Sequence, residues 1–198
     1  MFKIIEATAQ DTDRWRSLRR DGIAHYPDAF LLTLAQHDAS DPASDAARLE
    51  SGGKFIAFDG TTPVGLIGLN AYGSPNMRHR AEIGPLYVIP EAQGTPAAMQ
   101  LLQAAVDHAT AKGIWQLDLT VNEANTRAIA FYKRDGFLQY GCLPNVVIGP
   151  DGPEHDLMML RTLPQATPSF FPENLNPVPA TGANAAPLLS KAPFPVNS

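Results

Sequence analysis

The chain has 198 residues, 44% of them apolar, one cysteine and a net charge of −5 from 15 basic and 20 acidic side chains. That suits one globular domain, or one domain plus a tail. The interspersed charges form no basic stripe of the kind nucleic-acid binding needs, and no apolar run approaches the roughly 20 residues that span a bilayer. Met1–Glu6 lacks the long apolar region and cleavage site of a signal peptide. Cys142 has no second cysteine to pair with, so a reducing, cytoplasmic setting is expected. No His or Asn pattern around it resembles a cysteine-nucleophile signature.

In chain order, Phe2 to Ala7 reads as a strand. A helix is expected from Asp11, a good N-cap residue, with Trp15, Leu18 and Ile23 on one side and Pro27 ending it. Thr33 to Gly53 reads as a loop plus a helix over Ser44–Glu50. Lys54–Phe58 and Pro63–Asn70 are strands joined at Asp59-Gly60. A polar connection over Tyr72–His79 precedes the strand Ala81–Val88. Pro96 to Lys112 carries Ala98, Leu101, Leu102, Ala105 and Ala109 at helical spacing, with Gly113 as the stop. Trp115, Leu117, Leu119 and Val121 alternate as a strand does. Asn125 caps a short helix ending at Gly136, and Phe137–Val147 and His155–Leu163 are strands around a turn at Gly149–Gly152. The order β-α-α-β-β-β-α-β-α-β-β predicts an α/β fold, a mixed sheet with helices on its faces.

After Leu163 the composition changes. Pro164 to Ser198 is rich in Pro, Ala and Asn and nearly uncharged, which predicts an extended or disordered tail beyond a domain over residues 1–163. Phe170, Phe171, Leu175, Leu188, Leu189 and Phe194 allow a second reading, in which the tail lies along its own domain or a neighbouring subunit.

The strand at Ala81–Val88 changes phase. Its apolar residues begin at odd positions, Ala81 and Ile83, and end at even ones, Leu86 and Val88. Since successive side chains point to opposite faces, a one-residue slip near Gly84-Pro85 implies a bulge, where proline is tolerated. A bulge frees main-chain N–H and C=O groups for a ligand lying alongside. The next residues, Val88 to Ala98, form a strand, a loop of small residues and a helix N-terminus, a geometry suited to phosphate or pyrophosphate.

In this order the pieces resemble the GCN5-related N-acetyltransferase (GNAT) superfamily, in architecture over Ile4–Leu163 and in motifs over Glu82–Leu160. The resemblance implies a mixed, mostly antiparallel sheet with a splayed, bulged fourth strand, whose following loop holds the pantetheine and pyrophosphate of acetyl-CoA. The family's loop reads Gln or Arg, two residues, Gly, one residue, then Gly or Ala. Here Gln93-Gly94-Thr95-Pro96-Ala97-Ala98 matches at Gln93 and Ala98, with Pro96 in place of a glycine. Proline has no N–H, so reduced affinity is expected, although Thr95-Pro96 makes a good helix start. Asn125 to Phe137 resembles the family's Asn-x-x-Ala…Tyr…Gly-Phe segment closely.

The resemblance implies transfer of an acetyl group from acetyl-CoA to a primary amine, on a small molecule or a peptide, by direct attack in a ternary complex. It implies Glu82 as general base and Tyr132 as the acid that protonates the departing sulfur, since a phenol stays protonated at neutral pH. The main chain of Leu86, Tyr87 and Val88 is expected along the pantetheine. Gln93 and the amides of Gly94, Thr95, Ala97 and Ala98 are expected at the phosphates, and Asn125 at the pantetheine arm. His25, His37, His79, His108 and His155 show no metal-ligand spacing, and no metal is expected. A homodimer through the last strands or the tail is a further expectation. The competing reading is a binding or regulatory module whose cofactor loop Pro96 has impaired.

Overall fold

A computed structural model of the chain describes residues 2–30, 32–149 and 152–164. The proline-rich tail beyond residue 164, and what was expected of it, lie outside the described residues. The elements are β1 (Lys3–Glu6), α1 (Thr12–His25), α2 (Leu34–Ala39), α3 (Pro42–Glu50), β2 (Lys54–Asp59), β3 (Thr62–Ala71), β4 (Arg80–Val88), α4 (Ala97–Ala111), β5 (Gln116–Asn122), α5 (Thr126–Arg134), β6 (Leu138–Gly149) and β7 (Gly152–Thr162). The strands make one seven-stranded sheet in the order β1-β2-β3-β4-β5-β7-β6. Every pairing is antiparallel except β4 with β5.

Alternation along the strands divides the core between two faces. On the first, α4 buries Ala97, Leu101, Leu102, Ala105, Val106 and Ala109, and α5 buries Ile129 and Tyr132, against Ala81, Ile83, Leu117 and Leu119 of the sheet. On the second, Trp15 and Leu18 of α1 and Leu49 of α3 pack on Ile56, Phe58, Leu66 and Tyr87. Leu117, Leu119 and Val121 of β5 face the first side. Asp118, Thr120 and Asn122 therefore lie on the second.

Both long-range helix stops have the same chemistry. Gly113 and Gly136 have φ of 73° and 82°, left-handed values that glycine adopts without a Cβ penalty. Ile114 N–H then donates to Ala109 O at 2.9 Å and Phe137 N–H to Tyr132 O at 3.0 Å. These bonds close the helix ends and aim the chain into β5 and β6.

Several local expectations are corrected. Asp11 does not cap α1 with its side chain; it accepts from Thr8 N–H at 3.2 Å and from Arg14 at 2.8 Å. The segment expected as a loop after Thr33 holds the additional helix α2. There Thr33 Oγ1 accepts from Gln36 N–H while Gln36 Oε1 accepts from Thr33 N–H, a reciprocal cap. The following helix, α3, begins at Pro42, two residues before the expected start, because Asp41 caps it by accepting from Ala43 N–H at 2.9 Å. The last two strands are longer than expected and pair up to Gly149↔Gly152. Arg16 ties α1, α2 and α3 together by donating to Asp45, the Ser40 hydroxyl and the His37 and Ser40 carbonyls.

Candidate functional site

β4 pairs with β5 only at Arg80↔Gln116, Ala81↔Leu117 and Glu82↔Asp118. Beyond Glu82 the two strands part. On its other side β4 stays paired to β3, but the register slips: Ile67 faces Leu86 and Leu69 faces Ile83. Gly84 and Pro85 thus oppose the single residue Gly68, which is a bulge on β4. The approach there is close, since a Cβ on Gly68 would lie 2.5 Å from the Gly84 carbonyl oxygen. Asn70 Nδ2 also donates to that oxygen, at 2.8 Å.

Alternation then decides which main-chain groups are available. Ile89 N–H donates to Val64 O on the β3 side at 3.0 Å. Tyr87, two residues back, therefore turns its main chain toward β3, while Leu86 and Val88 turn theirs toward the side β5 has left. Val88 O accepts from Gln93 Nε2 at 3.1 Å. The N–H and C=O of Leu86 and the N–H of Val88 face the opening.

At the start of α4, Thr95 Oγ1 donates to Ala92 O and accepts from Ala97 N–H at 3.3 Å. Gln100 N–H reaches Pro96 O at 2.9 Å. The amides of Gly94, Ala98 and Met99 have no acceptor among the described residues. Of the amides expected to hold phosphate, Ala97's is thus engaged and Thr95's donates to Ala92 O at 3.4 Å, whereas Met99 adds one the sequence reading missed. Three free amides thus lie beside the positive end of a 15-residue helix, where Pro96 contributes no donor.

A cleft of about 520 Å³ joins these parts. It is lined by Leu86, Tyr87 and Val88 of β4, by Gln93, Gly94, Thr95 and Ala98, and by Asn125 and Tyr132. Its walls include Met99 and Phe131 on the first face and Tyr26, Ala29 and Phe30 after α1, so it passes through the sheet at the β4–β5 opening. Two of the expected residues lie outside it. Ala97 is buried in the core, and Glu82 is exposed on the second face, beside Asp118. Arg80 and Gln116 bond the Asp118 carboxylate at 3.0 and 2.9 Å, whereas the Glu82 carboxylate has no hydrogen-bond partner among the described residues.

Tyr132 is 9% exposed and packs edge-on against Phe131 and Phe137. Its hydroxyl has no hydrogen-bond partner among the described residues, and burial pushes the phenol's pKa up. Asn125 Oδ1 accepts from Ala128 N–H at 3.0 Å, capping α5. Tyr87 OH donates to Asp21, which fixes β4 to α1; burial and that hydrogen bond both raise its pKa.

The cations of the cleft, Arg127 and Arg134, escaped the sequence reading. Arg127 Nη1 donates to Gln93 Oε1 at 2.7 Å, and Gln93 Nε2 donates to Tyr26 OH at 2.8 Å. This chain of bonds links α5, the loop before α4 and the segment after α1. The usable signal was the position of Arg127, in the first turn of α5, two residues after the cap Asn125 and four before Phe131.

Residues 14–137 match the family model described as the Acetyltransferase (GNAT) family. The chain belongs to this family. Among curated relatives, this GNAT chain is similar to mycothiol acetyltransferase of Pseudarthrobacter chlorophenolicus, 28% identical over 150 residues, which is 71% of this chain and 43% of that protein. It spans less than half the length of the curated relatives it matches. Among solved structures, yncA of Salmonella typhimurium with its cofactor acetyl-CoA superposes with a TM-score of 0.73 at 17% identity, covering 84% of this chain and 96% of that one. The ribosomal-protein-S18-alanine N-acetyltransferase of Escherichia coli gives 0.66 at 18% identity, covering 86% and 99%. Both share the GNAT fold of this chain.

Proposed function

We propose that this protein is an acetyl-CoA-dependent N-acetyltransferase, acting on a primary amine by direct attack in a ternary complex. One observation carries the reading: β4 and β5 part after Glu82, and the opening carries unpaired main chain, free helix-terminal amides and a buried phenol along one cleft. The residues fit acetyl-CoA. Leu86 and Val88 offer strand-like hydrogen bonds to an extended, amide-bearing arm. Gly94, Ala98 and Met99 offer N–H groups to a pyrophosphate, and Arg127 offers a cation nearby. When bound, acetyl-CoA supplies the activated acetyl thioester.

The chain's own contribution is placement and proton management. The N–H of Leu86 or Val88 stabilises charge developing on the thioester oxygen. Tyr132 holds its proton at the sulfur end of the cleft, and its raised pKa keeps it protonated across the neutral range. We assign the amine's proton to Glu82. This carboxylate sits on the last β4–β5 pair, and because it lines no part of the cleft, the transfer runs through a bridging water. Asn125 supports the site by capping the helix that carries Arg127 and Tyr132.

No described helix is long and apolar enough to cross a membrane, and no group of three or more His, Cys, Asp or Glu among the described residues has metal-site geometry. The reading needs no metal, and we place the reaction in the cytoplasm. The test is calorimetric titration with acetyl-CoA, followed by acetylation assays of wild type and Tyr132→Phe. Binding at micromolar concentrations with turnover lost in the variant supports the enzyme. Undetectable acetyl-CoA binding refutes it, and tight binding without turnover on any amine favours the regulatory module.

A further inference from the structure

A second cavity lies on the far side of Phe30 from the cofactor cleft. It has a volume of about 550 Å³ and is lined by Ile23, Ala24, Pro27, Phe30, Leu32, Thr33, Leu34, Val146 and Val147. It is formed by the end of α1, the start of α2 and the β6–β7 hairpin. Among the described residues no charged side chain lines it. The one side-chain hydroxyl, that of Thr33, is already engaged in capping α2. Such a volume is within the roughly 300–1,000 Å³ of small-molecule sites, and an almost wholly apolar lining selects apolar groups.

Its position beside the cleft says what occupies it. Phe30 lines both cavities, and the Pro27–Ala29 turn beside it packs against β5. The cofactor cleft enters from the α4–α5 side, crosses the sheet where β4 and β5 separate, and emerges at Tyr26, Ala29 and Phe30. A molecule seated in the second cavity therefore presents its head past Phe30 to the place where the thioester would be exposed. Glu82, Arg80 and Asp118 of this face lie outside the cavity, and its described walls carry no charge to meet a charged body.

We propose that this cavity is the acceptor site and that the acceptor is a small primary amine carrying an uncharged, apolar alkyl or arylalkyl body. The inference rests on the transferase reading and deepens it. In the reaction the amine nitrogen forms a bond to the acetyl carbon, the carbon–sulfur bond breaks, the amine's proton leaves through the base and the sulfur takes a proton. The apolar body takes no part except to hold the nitrogen in place.

The test is a series of straight-chain amines, from ethylamine to hexylamine, with phenethylamine and putrescine, assayed with the full chain and saturating acetyl-CoA. Burying each methylene should raise kcat/KM about fourfold, and putrescine, whose far end is charged, should fall at least tenfold below butylamine. Calorimetry should show N-acetylhexylamine binding to wild type, with binding weakened at least tenfold in Val147→Asp and in Leu34→Ser. Both variants should keep the wild-type affinity for acetyl-CoA, which also reports that they fold.

A flat series, a preference for putrescine, or product binding unaffected by both substitutions, with acetyl-CoA still bound, overturns the inference and leaves the transferase reading standing. Loss of N-acetylhexylamine binding as concentration rises, accompanied by dimer formation, assigns the groove to a second copy and also overturns it. Absence of acetyl-CoA binding in wild type removes both readings.

Discussion

The Gly68→Ala substitution tests whether the bulge builds the site. An added Cβ at Gly68 would lie 2.5 Å from the Gly84 carbonyl oxygen and 3.2 Å from its carbon, both backbone atoms that cannot rotate away. The bulge must move instead. Overpacking of this kind costs about 1–3 kcal/mol. At roughly 2–4 °C per kcal/mol for a chain of this size, Tm falls by about 2–12 °C. Moving Gly84 and Pro85 also displaces the next residues of β4, Leu86 and Val88. Losing two main-chain hydrogen bonds of about 0.5–1.5 kcal/mol each weakens acetyl-CoA binding by about 5- to 150-fold. The matched control is Gly73→Ala, where a Cβ meets nothing within 4 Å and both quantities should hold. Differential scanning calorimetry and isothermal titration read the two effects. If Gly68→Ala keeps Tm within 1 °C and acetyl-CoA affinity within threefold, the bulge does not position the binding groups and the reasoning fails.

Removing the cation in Arg127→Ala should weaken acetyl-CoA binding about tenfold or more, the size of a lost charge-assisted hydrogen bond, and should lessen the salt dependence measured by calorimetry. Tyr132→Phe should lower kcat about 100-fold or more with acetyl-CoA affinity unchanged; equal loss of affinity would make it a packing residue. The same phenol has its pKa raised in the folded state, so its contribution to stability is complete below the unfolded value of about 10. That contribution is lost as pH rises from there, and Tyr132→Phe should flatten the alkaline decline of denaturation midpoints. Asp45, 4% exposed, faces Arg16, Arg19 and Arg48, and burial already lowers the pKa of Arg19. Asp45→Ala removes the partner of the half-buried Arg16 and Arg19 and should destabilise by about 3–5 kcal/mol in denaturant titrations.

The helices and strands that were legible were those with local signals. The spacing of Leu101, Leu102, Ala105 and Ala109 marks α4 because burial and helical period agree there, and Gly113 and Gly136 mark two stops through the φ that only glycine adopts freely. The reciprocal cap of Thr33 and Gln36 was equally local and was overlooked because α2 has only six residues and little apolar stripe. The slip from Ile83 to Leu86 was readable for the same reason as α4: strand parity is a property of neighbours in sequence.

The sequence alone determined the phase change in β4, the anion-suited loop after it and the tyrosine on α5, because each depends on residues a few positions apart. Only the tertiary structure decided that Ala97's amide is spent on Thr95 while Met99's is free. It also decided that Arg127 faces Gln93 across 34 residues, and that Glu82 stands outside the cleft. The separation of β4 from β5 belongs to this second group. Those strands meet through a parallel pairing with α4 between them, and where such a pairing ends is set by packing on both faces, which no short stretch of sequence contains.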